Sequence, residues 1–265
     1  MKLIPYKGIK VVRVKHHDRV WGCPLETDVQ RIWDQNLKEA ETANAAKTDS
    51  PKISLFNGHL ARVISMHQTE GALHIDTEET DYAHHVATRG NQDLNSRANP
   101  LYAAILITLK EHSGKKYQVF GYSAGTEVQY QGKLNLVAGS VHPRLDRVGK
   151  NLNVDLALER ELEEELGLSY MRFSGGVDPS FVAVEEDMQH PSVVYTGTLP
   201  MSRDELKRHH QEFIEMESAA GRHPEFSGLH FVENHRKAIL DEIEKGKFHN
   251  RVNVILKHYA SSLRD

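Results

Sequence analysis

A chain of 265 residues with 39% hydrophobic and 26% charged residues has the make-up of an ordinary globular protein, large enough for a core domain plus a smaller second one. A formal charge of −4 argues against nucleic acid or an anionic membrane as the main partner. No segment is long and apolar enough to span a bilayer, and Met1 to Val14 lacks a signal peptide's apolar run, so a cytoplasmic location is expected. Cys23, the single cysteine, cannot form an intrachain disulfide and reads as a small packing residue.

In chain order, Ile9 to Val14 reads as a strand. Asp28 to Ala45 reads as a helix capped by Thr27, with Val29, Ile32, Trp33 and Leu37 on one face. Lys47 to Pro51 is a turn. Strands are expected at Ile53 to Phe56, His59 to Met66 and Ala72 to Ile75, broken by Asn57-Gly58 and Glu70-Gly71. Asp81 to Thr88 suits one or two helical turns, and Gly90 to Asn99 a polar loop. From Asn99-Pro100 onward the pattern changes, which places a domain boundary at 98/99. Strands are expected at Leu101 to Lys110, Tyr117 to Tyr122 and Leu134 to Ala138, then a loop from His142 to Asn151 and a helix from Val154 to Leu166. Further strands fall near Tyr170 to Phe173, Phe181 to Val184, Val193 to Leu199 and Leu229 to Val232. Helices fall near Arg203 to Glu217, Arg236 to Lys245 and Val252 to Ser261. Gly175-Gly176 is too short for a phosphate loop and reads as a turn.

The informative segment is NVDLALERELEEELGL, Asn153 to Leu168. Asn153 can cap the helix, Asp155 sits in the favourable first turn, and Gly167 can end it. Leu158, Leu162 and Leu166 recur every four residues and face a core. Glu161, Glu164 and Glu165, three and four apart, share another face, while Glu163 points away. Five glutamates between Glu159 and Glu165 repel one another, and a divalent cation such as Mg²⁺ or Mn²⁺ would relieve that repulsion. Arg160 is placed to hold a carboxylate. A Glu-rich helix is most often only a solvated acidic face.

Here the order of residues decides otherwise. Arg160 to Leu168 resembles, position for position, the second half of the Nudix signature, R-E-U-x-E-E-x-G-U with U aliphatic; average residue usage puts a chance match in such a chain at about 10⁻⁵. The resemblance spans roughly Asn99 to Asp265. It implies an α/β/α sandwich (the Nudix fold), here with an N-terminal α+β extension or cap over residues 1–98. It also implies metal held by Glu161, Glu164 and Glu165, with Arg160 in support. Leu136 to Gly139 looks like the strand and glycine that open the signature. Two departures stand out. Arg160 follows Gly139 by 21 positions, seven more than the family's spacing, and Leu152 stands where the family usually has Glu.

The chain also resembles the Nudix branch containing the animal UDP-glucose and UDP-galactose diphosphatase, at Thr198-Leu199, Ser202 to His209 and Phe226 to Glu233, and more loosely at Asn57-Gly58, Thr80 to Tyr82 and Asn99-Pro100. This implies hydrolysis of a nucleotide sugar to a nucleoside monophosphate and a sugar 1-phosphate. ADP-ribose or a dinucleotide is the alternative substrate, and a non-catalytic nucleotide-binding regulator the alternative class. A later acid often joins such a site; Glu225 is the candidate, with Glu212 and Glu186 competing. Arg144, Arg147 and Lys150 in the long loop are candidate diphosphate contacts, and Tyr82 or Trp33 a stacking surface for a base, although packing is the commoner role of such rings. The 17 histidines include the pairs His16-His17, His84-His85 and His209-His210, whose members point different ways and suit surface or capping roles. The N-terminal part is expected to cover or extend the substrate site. A small-molecule nucleotide is the expected partner, with a homodimer as the candidate assembly.

Overall fold

A computed structural model describes residues 9–45, 55–91, 93, 96–124, 132–184 and 190–263. The turn expected at Lys47 to Pro51 and Glu186 lie outside these residues, as do the first two residues of the strand expected at Ile53 to Phe56. The chain divides into two compact units. Unit 1 comprises Met1–Ala103, Gly139–Leu158 and Pro179–Val193. Unit 2 comprises Ala104–Ala138, Glu159–Asp178 and Val194–Asp265. Where the sequence suggests one boundary at 98/99, these units interleave along the chain.

Unit 1 holds a five-stranded sheet in the order β2-β3-β1-β9-β8. Strands β2 (His59–Thr69) and β3 (Ala72–Asp81) form an antiparallel hairpin through Glu70-Gly71. Both turn residues have positive φ, 22° and 83°, the hand that matches strand twist in a two-residue connection. Strand β1 (Val11–Val20) pairs parallel to β3, from Val11 opposite Ala72 to Val20 opposite Glu79. Parallel pairing needs a crossover, which helix α1 (Glu26–Ala45) begins. Strand β3 runs well past its apolar start because Thr77, Glu78 and Thr80 are buried in it. Glu78 is neutralised there: Arg62 donates to it at 2.7 Å and Arg19 at 2.6 Å, and the Arg62 guanidinium also lies 4.5 Å from the Trp21 ring centre. Helix α2 (Tyr82–Thr88) starts at Asp81, whose carboxylate accepts the His84 backbone N–H. Trp21, Cys23, Val29, Trp33, Ala83 and Ala98 form an apolar cluster with Tyr82 packed against it.

The segment expected as a loop between His142 and Asn151 contains two short strands, β8 (Arg147–Val148) and β9 (Asn151–Leu152), joined through Gly149 at φ +64°. Strand β9 pairs with β1, Val14 opposite Leu152. The added length is therefore a hairpin that extends the unit 1 sheet, and Leu152 is buried. A glutamate there would bury a charge.

A second sheet has the order β10-β11-β4-β5-β12, to which β6 (Leu134–Asn135) adds on β5 and β7 (Val137–Ser140) on β4. Strand β4 is Tyr102–Lys110, β5 Lys116–Ser123, β10 Ser174–Val184, β11 Pro191–Leu199 and β12 Phe226–Glu233. Two expectations fail here. Tyr170 to Phe173 is mostly a 3₁₀ turn (Tyr170–Arg172) with Met171 exposed, despite its β-favouring residues. Gly175-Gly176 lies inside β10 rather than in a turn, with both φ values positive. Helices α3 (Val154–Leu166), α4 (Arg203–Ala219), α5 (Arg236–Glu244) and α6 (Asn250–Ser262) match the expected helices to within a few residues. Ser202 and Glu205 form a reciprocal capping box at α4. No helix among the described residues is long and apolar enough to cross a membrane.

His249 caps α6 by accepting the Arg251 N–H at 3.1 Å. Burial, and then the nearby Arg251, holds its pKa down at about 4. A histidine depressed in the fold favours the neutral form. Its contribution is present above the unfolded pKa near 6.5 and is lost as pH falls toward 4. We expect stability to drop over that window, with up to about one extra proton taken up on unfolding. His249→Asn, which keeps a capping acceptor, should flatten the slope. Denaturant titrations at several pH values check this; an unchanged slope in the variant rejects it.

Candidate active site

Helix α3 carries the acidic residues. Its start is fixed by Asn153, which accepts the Asp155 N–H at 2.9 Å. Leu158, Leu162 and Leu166 are buried, which fixes the helix's rotation about its axis. The division between units falls between Leu158 and Glu159, so Arg160 through Glu165 and Glu225 all belong to unit 2.

At its end the helix is held in three ways. Gly167 adopts φ +65°, and its N–H donates to the Glu163 carbonyl at 3.0 Å. His209 of α4 lies within hydrogen-bonding distance of the Leu166 and Gly167 carbonyls, at 3.0 and 3.2 Å. His210, the next residue, hydrogen-bonds the Glu165 carbonyl; burial pushes its pKa down to about 4. The adjacent histidines thus cap α3 from α4, the capping role expected of such pairs. A Cβ on Gly167 would meet Phe213 Cδ2 at 2.7 Å in a backbone conformation that side chains disfavour. Gly167→Ala should cost more than about 1 kcal/mol and shift the thermal midpoint down. A variant as stable as the parent would show that the close approach does not matter.

The carboxylates differ in environment. Glu161 and Glu165 are buried, 6% and 1% exposed, while the Glu164 side chain is 58% exposed. Arg160 donates to Glu161 at 2.6 Å and to Glu164 at 3.2 Å. Burial pushes the Glu161 carboxyl up to about 7; Arg160 opposes this, and Glu225 and Glu164 add to it. Glu225 precedes β12 and has exposed surface, yet its carboxyl is hemmed in by the others. Burial raises its pKa, while a hydrogen bond from the Glu165 carboxyl opposes the rise.

This all-oxygen set, with one arginine against four acids, suits a hard divalent cation. Glu161, Glu164, Glu165 and Glu225 do not present three oxygens within 4.8 Å of one another, although one nitrogen of Arg160 bridges Glu161 and Glu164. Mutual repulsion keeps the carboxylates apart, and a cation would draw them together. Glu212, a competing acid, is exposed on α4.

Other sequence candidates lie in unit 1. Arg144 is paired with Glu79 at 2.8 Å and Arg147 with Asp18 at 2.8 Å. Tyr82 meets Trp33 edge-on, with ring centres 6.0 Å apart. Sequence reasoning missed a second cluster, formed by Cys23, Glu26 and His84, because His84 lies 58 positions after Glu26 and the Cys23–Glu26 pair alone matches no ligand motif.

No family model matches the chain, and no curated protein does. Among solved structures, it is similar to the NUDIX domain of Shewanella oneidensis NrtR complexed with ADP ribose. That match has 10% identity and TM-score 0.40, over 61% of this chain and 85% of the other. It is also similar to a C. elegans Ap4A hydrolase, with 12% identity and TM-score 0.39 over 61% and 95%. A Deinococcus radiodurans protein shows 12% identity and TM-score 0.40 over 59% and 81%. Likeness of this extent carries no argument about chemistry, so the functional reading rests on the residues of α3.

Proposed function

We propose that the chain is a Nudix-type diphosphatase of the α/β/α sandwich class, dependent on Mg²⁺ or Mn²⁺, that hydrolyses a nucleoside-diphosphate-linked compound, a UDP-sugar above other substrates. The observation that carries this reading is the burial of Glu161 and Glu165 beside Arg160 and Glu225, on a helix whose order of residues resembles the Nudix signature. Glu161, Glu164 and Glu165 would hold the cation, which supplies Lewis-acid neutralisation of charge on the phosphates.

The protein's own groups do the rest. Arg160 fixes Glu161 and Glu164 by its two hydrogen bonds. Glu225, whose pKa is raised by burial, is the proposed acceptor of a proton from the attacking water. Arg144 and Arg147 are the proposed diphosphate contacts. Their partners Glu79 and Asp18 form ion pairs that are partly exposed and cost little to exchange. Tyr82 is the proposed base contact.

A competition assay tests the reading. With Mg²⁺ and equal concentrations of UDP-glucose, UDP-galactose, ADP-ribose and nucleoside triphosphates, we expect the highest kcat/KM for a UDP-sugar, with UMP and sugar 1-phosphate as products. A higher value for ADP-ribose or a triphosphate rejects the UDP-sugar reading and leaves the diphosphatase standing. Metal-independent binding with no turnover of any of them would favour a nucleotide-binding regulator, the class suggested by Leu152 at the usual glutamate position.

A further inference from the structure

Cys23, Glu26 and His84 each offer a ligand atom, and these atoms all lie within 4.8 Å of one another. All three belong to unit 1. Cys23 precedes α1, Glu26 is the first residue of α1, and His84 is in the first turn of α2. The three therefore meet where two packed helices begin.

The histidine is already held in the orientation a ligand needs. His84 Nδ1 lies 2.7 Å from Asp81 Oδ1, which directs Nε2 toward Glu26 Oε2 at 2.9 Å. A carboxylate on the far ring nitrogen orients metal-bound histidines in this way; without metal, Asp81 and then Glu26 raise the His84 pKa to about 9, so Nε2 carries a proton that an ion must displace. Asp81 is itself held, because it also caps α2 through the His84 N–H. Burial raises the Cys23 thiol pKa; the Leu25 N–H, which donates to Sγ at 3.4 Å, opposes that rise, and a bound cation would complete the step to a thiolate. Cys23 is buried and the His84 side chain 14% exposed, while the Glu26 side chain is 68% exposed, so an ion can enter past Glu26.

We propose that Cys23, Glu26 and His84 form a transition-metal site that selects Zn²⁺, with solvent completing the coordination. One sulfur, one nitrogen and one oxygen suit zinc and disfavour Mg²⁺, which takes oxygen ligands. One thiolate and one carboxylate balance the charge of the ion, and binding releases the thiol proton and one proton from His84. This site is separate in residues and in metal preference from the glutamates of α3, and it does not depend on the proposed hydrolase activity. The competing arrangement is an ion-pair chain, Glu26 to His84 to Asp81, with Cys23 only packing against Trp21 and Val29.

Cobalt separates the two. The full chain, stripped by chelator and held in excess Mg²⁺, is titrated with Co²⁺ and then Zn²⁺. We expect one equivalent of Co²⁺ to give a sulfur-to-metal charge-transfer band that Zn²⁺ abolishes. Cys23→Ser should lose the band. Because Cys23 packs in an apolar cluster, Glu26→Gln at an exposed position is the second variant. It should fold as the parent does and weaken Co²⁺ binding at least about tenfold. Glu165→Gln should leave the band unchanged. No band in the parent, or Co²⁺ affinity unaltered in Glu26→Gln, overturns the proposal.

Discussion

Glu165→Gln should abolish most metal-dependent turnover while leaving the protein folded. The side chain is 1% exposed, so the substitution alters a buried carboxyl at nearly constant shape. A glutamine amide can still donate to Glu225 as the Glu165 carboxyl does. The fold therefore keeps its hydrogen bond and loses an ionisable group whose burial is costly, and the thermal midpoint without metal should be equal or higher. The proposed cation, however, loses one of its three proposed anionic ligands. If bound metal supplies several kcal/mol of charge neutralisation, its loss costs about 10²-fold or more in kcat/KM. The paired readout is decisive. Turnover should fall, and the rise in midpoint that Mg²⁺ gives the parent should vanish. A variant with full activity and an unchanged response to Mg²⁺ would remove Glu165 from the metal site.

Deleting residues 1–98 should leave a chain that does not fold cooperatively. The deletion removes β1, β2 and β3 and leaves behind the segments of unit 1 that depend on them. Strand β9 loses β1, and the Val141 carbonyl loses the Ala61 N–H at 3.1 Å. The Leu101 N–H loses the Ala61 carbonyl at 2.8 Å. Leu101, Val141 and Leu152, all buried, lose part of their surroundings. Unpaired edges and exposed apolar side chains lead to aggregation. Size-exclusion chromatography and a thermal melt of 99–265 check this. A monomeric fragment with a sharp transition would show that the N-terminal part is a separable domain after all.

Helix α3 was legible because three independent signals agree on it: the cap at Asn153, the four-residue leucine repeat and Gly167. Its bounds match the expected ones, and Leu158, Leu162 and Leu166 are buried as expected. The candidate site was legible for the same reason, since Glu161, Glu164 and Glu165 lie within two turns. Glu225 was nameable from its place before a strand, but its hydrogen bond with Glu165 spans 60 positions and leaves no local mark. Strand β3 read short at Ile75 because its buried half is polar, and burial of Thr77 and Glu78 depends on partners such as Arg62 that hydropathy cannot see. The turn at Tyr170 shows the converse: β-favouring residues with no strand partner do not make a strand. The hairpin of β8 and β9 was hidden because two-residue strands carry no periodicity.

That hairpin bears on how the protein is made. During synthesis the first hundred residues emerge with β1 as a bare sheet edge, because β9 lies at residues 151 and 152 and the last segment of unit 1 ends at Val193. Unit 1 cannot finish while only its own N-terminal stretch is outside the ribosome; its completion waits for the chain that also supplies α3. The nascent chain thus carries an unprotected strand until residues 151 and 152 have emerged, and that interval, rather than the finished protein, is where dependence on a chaperone is expected to be greatest.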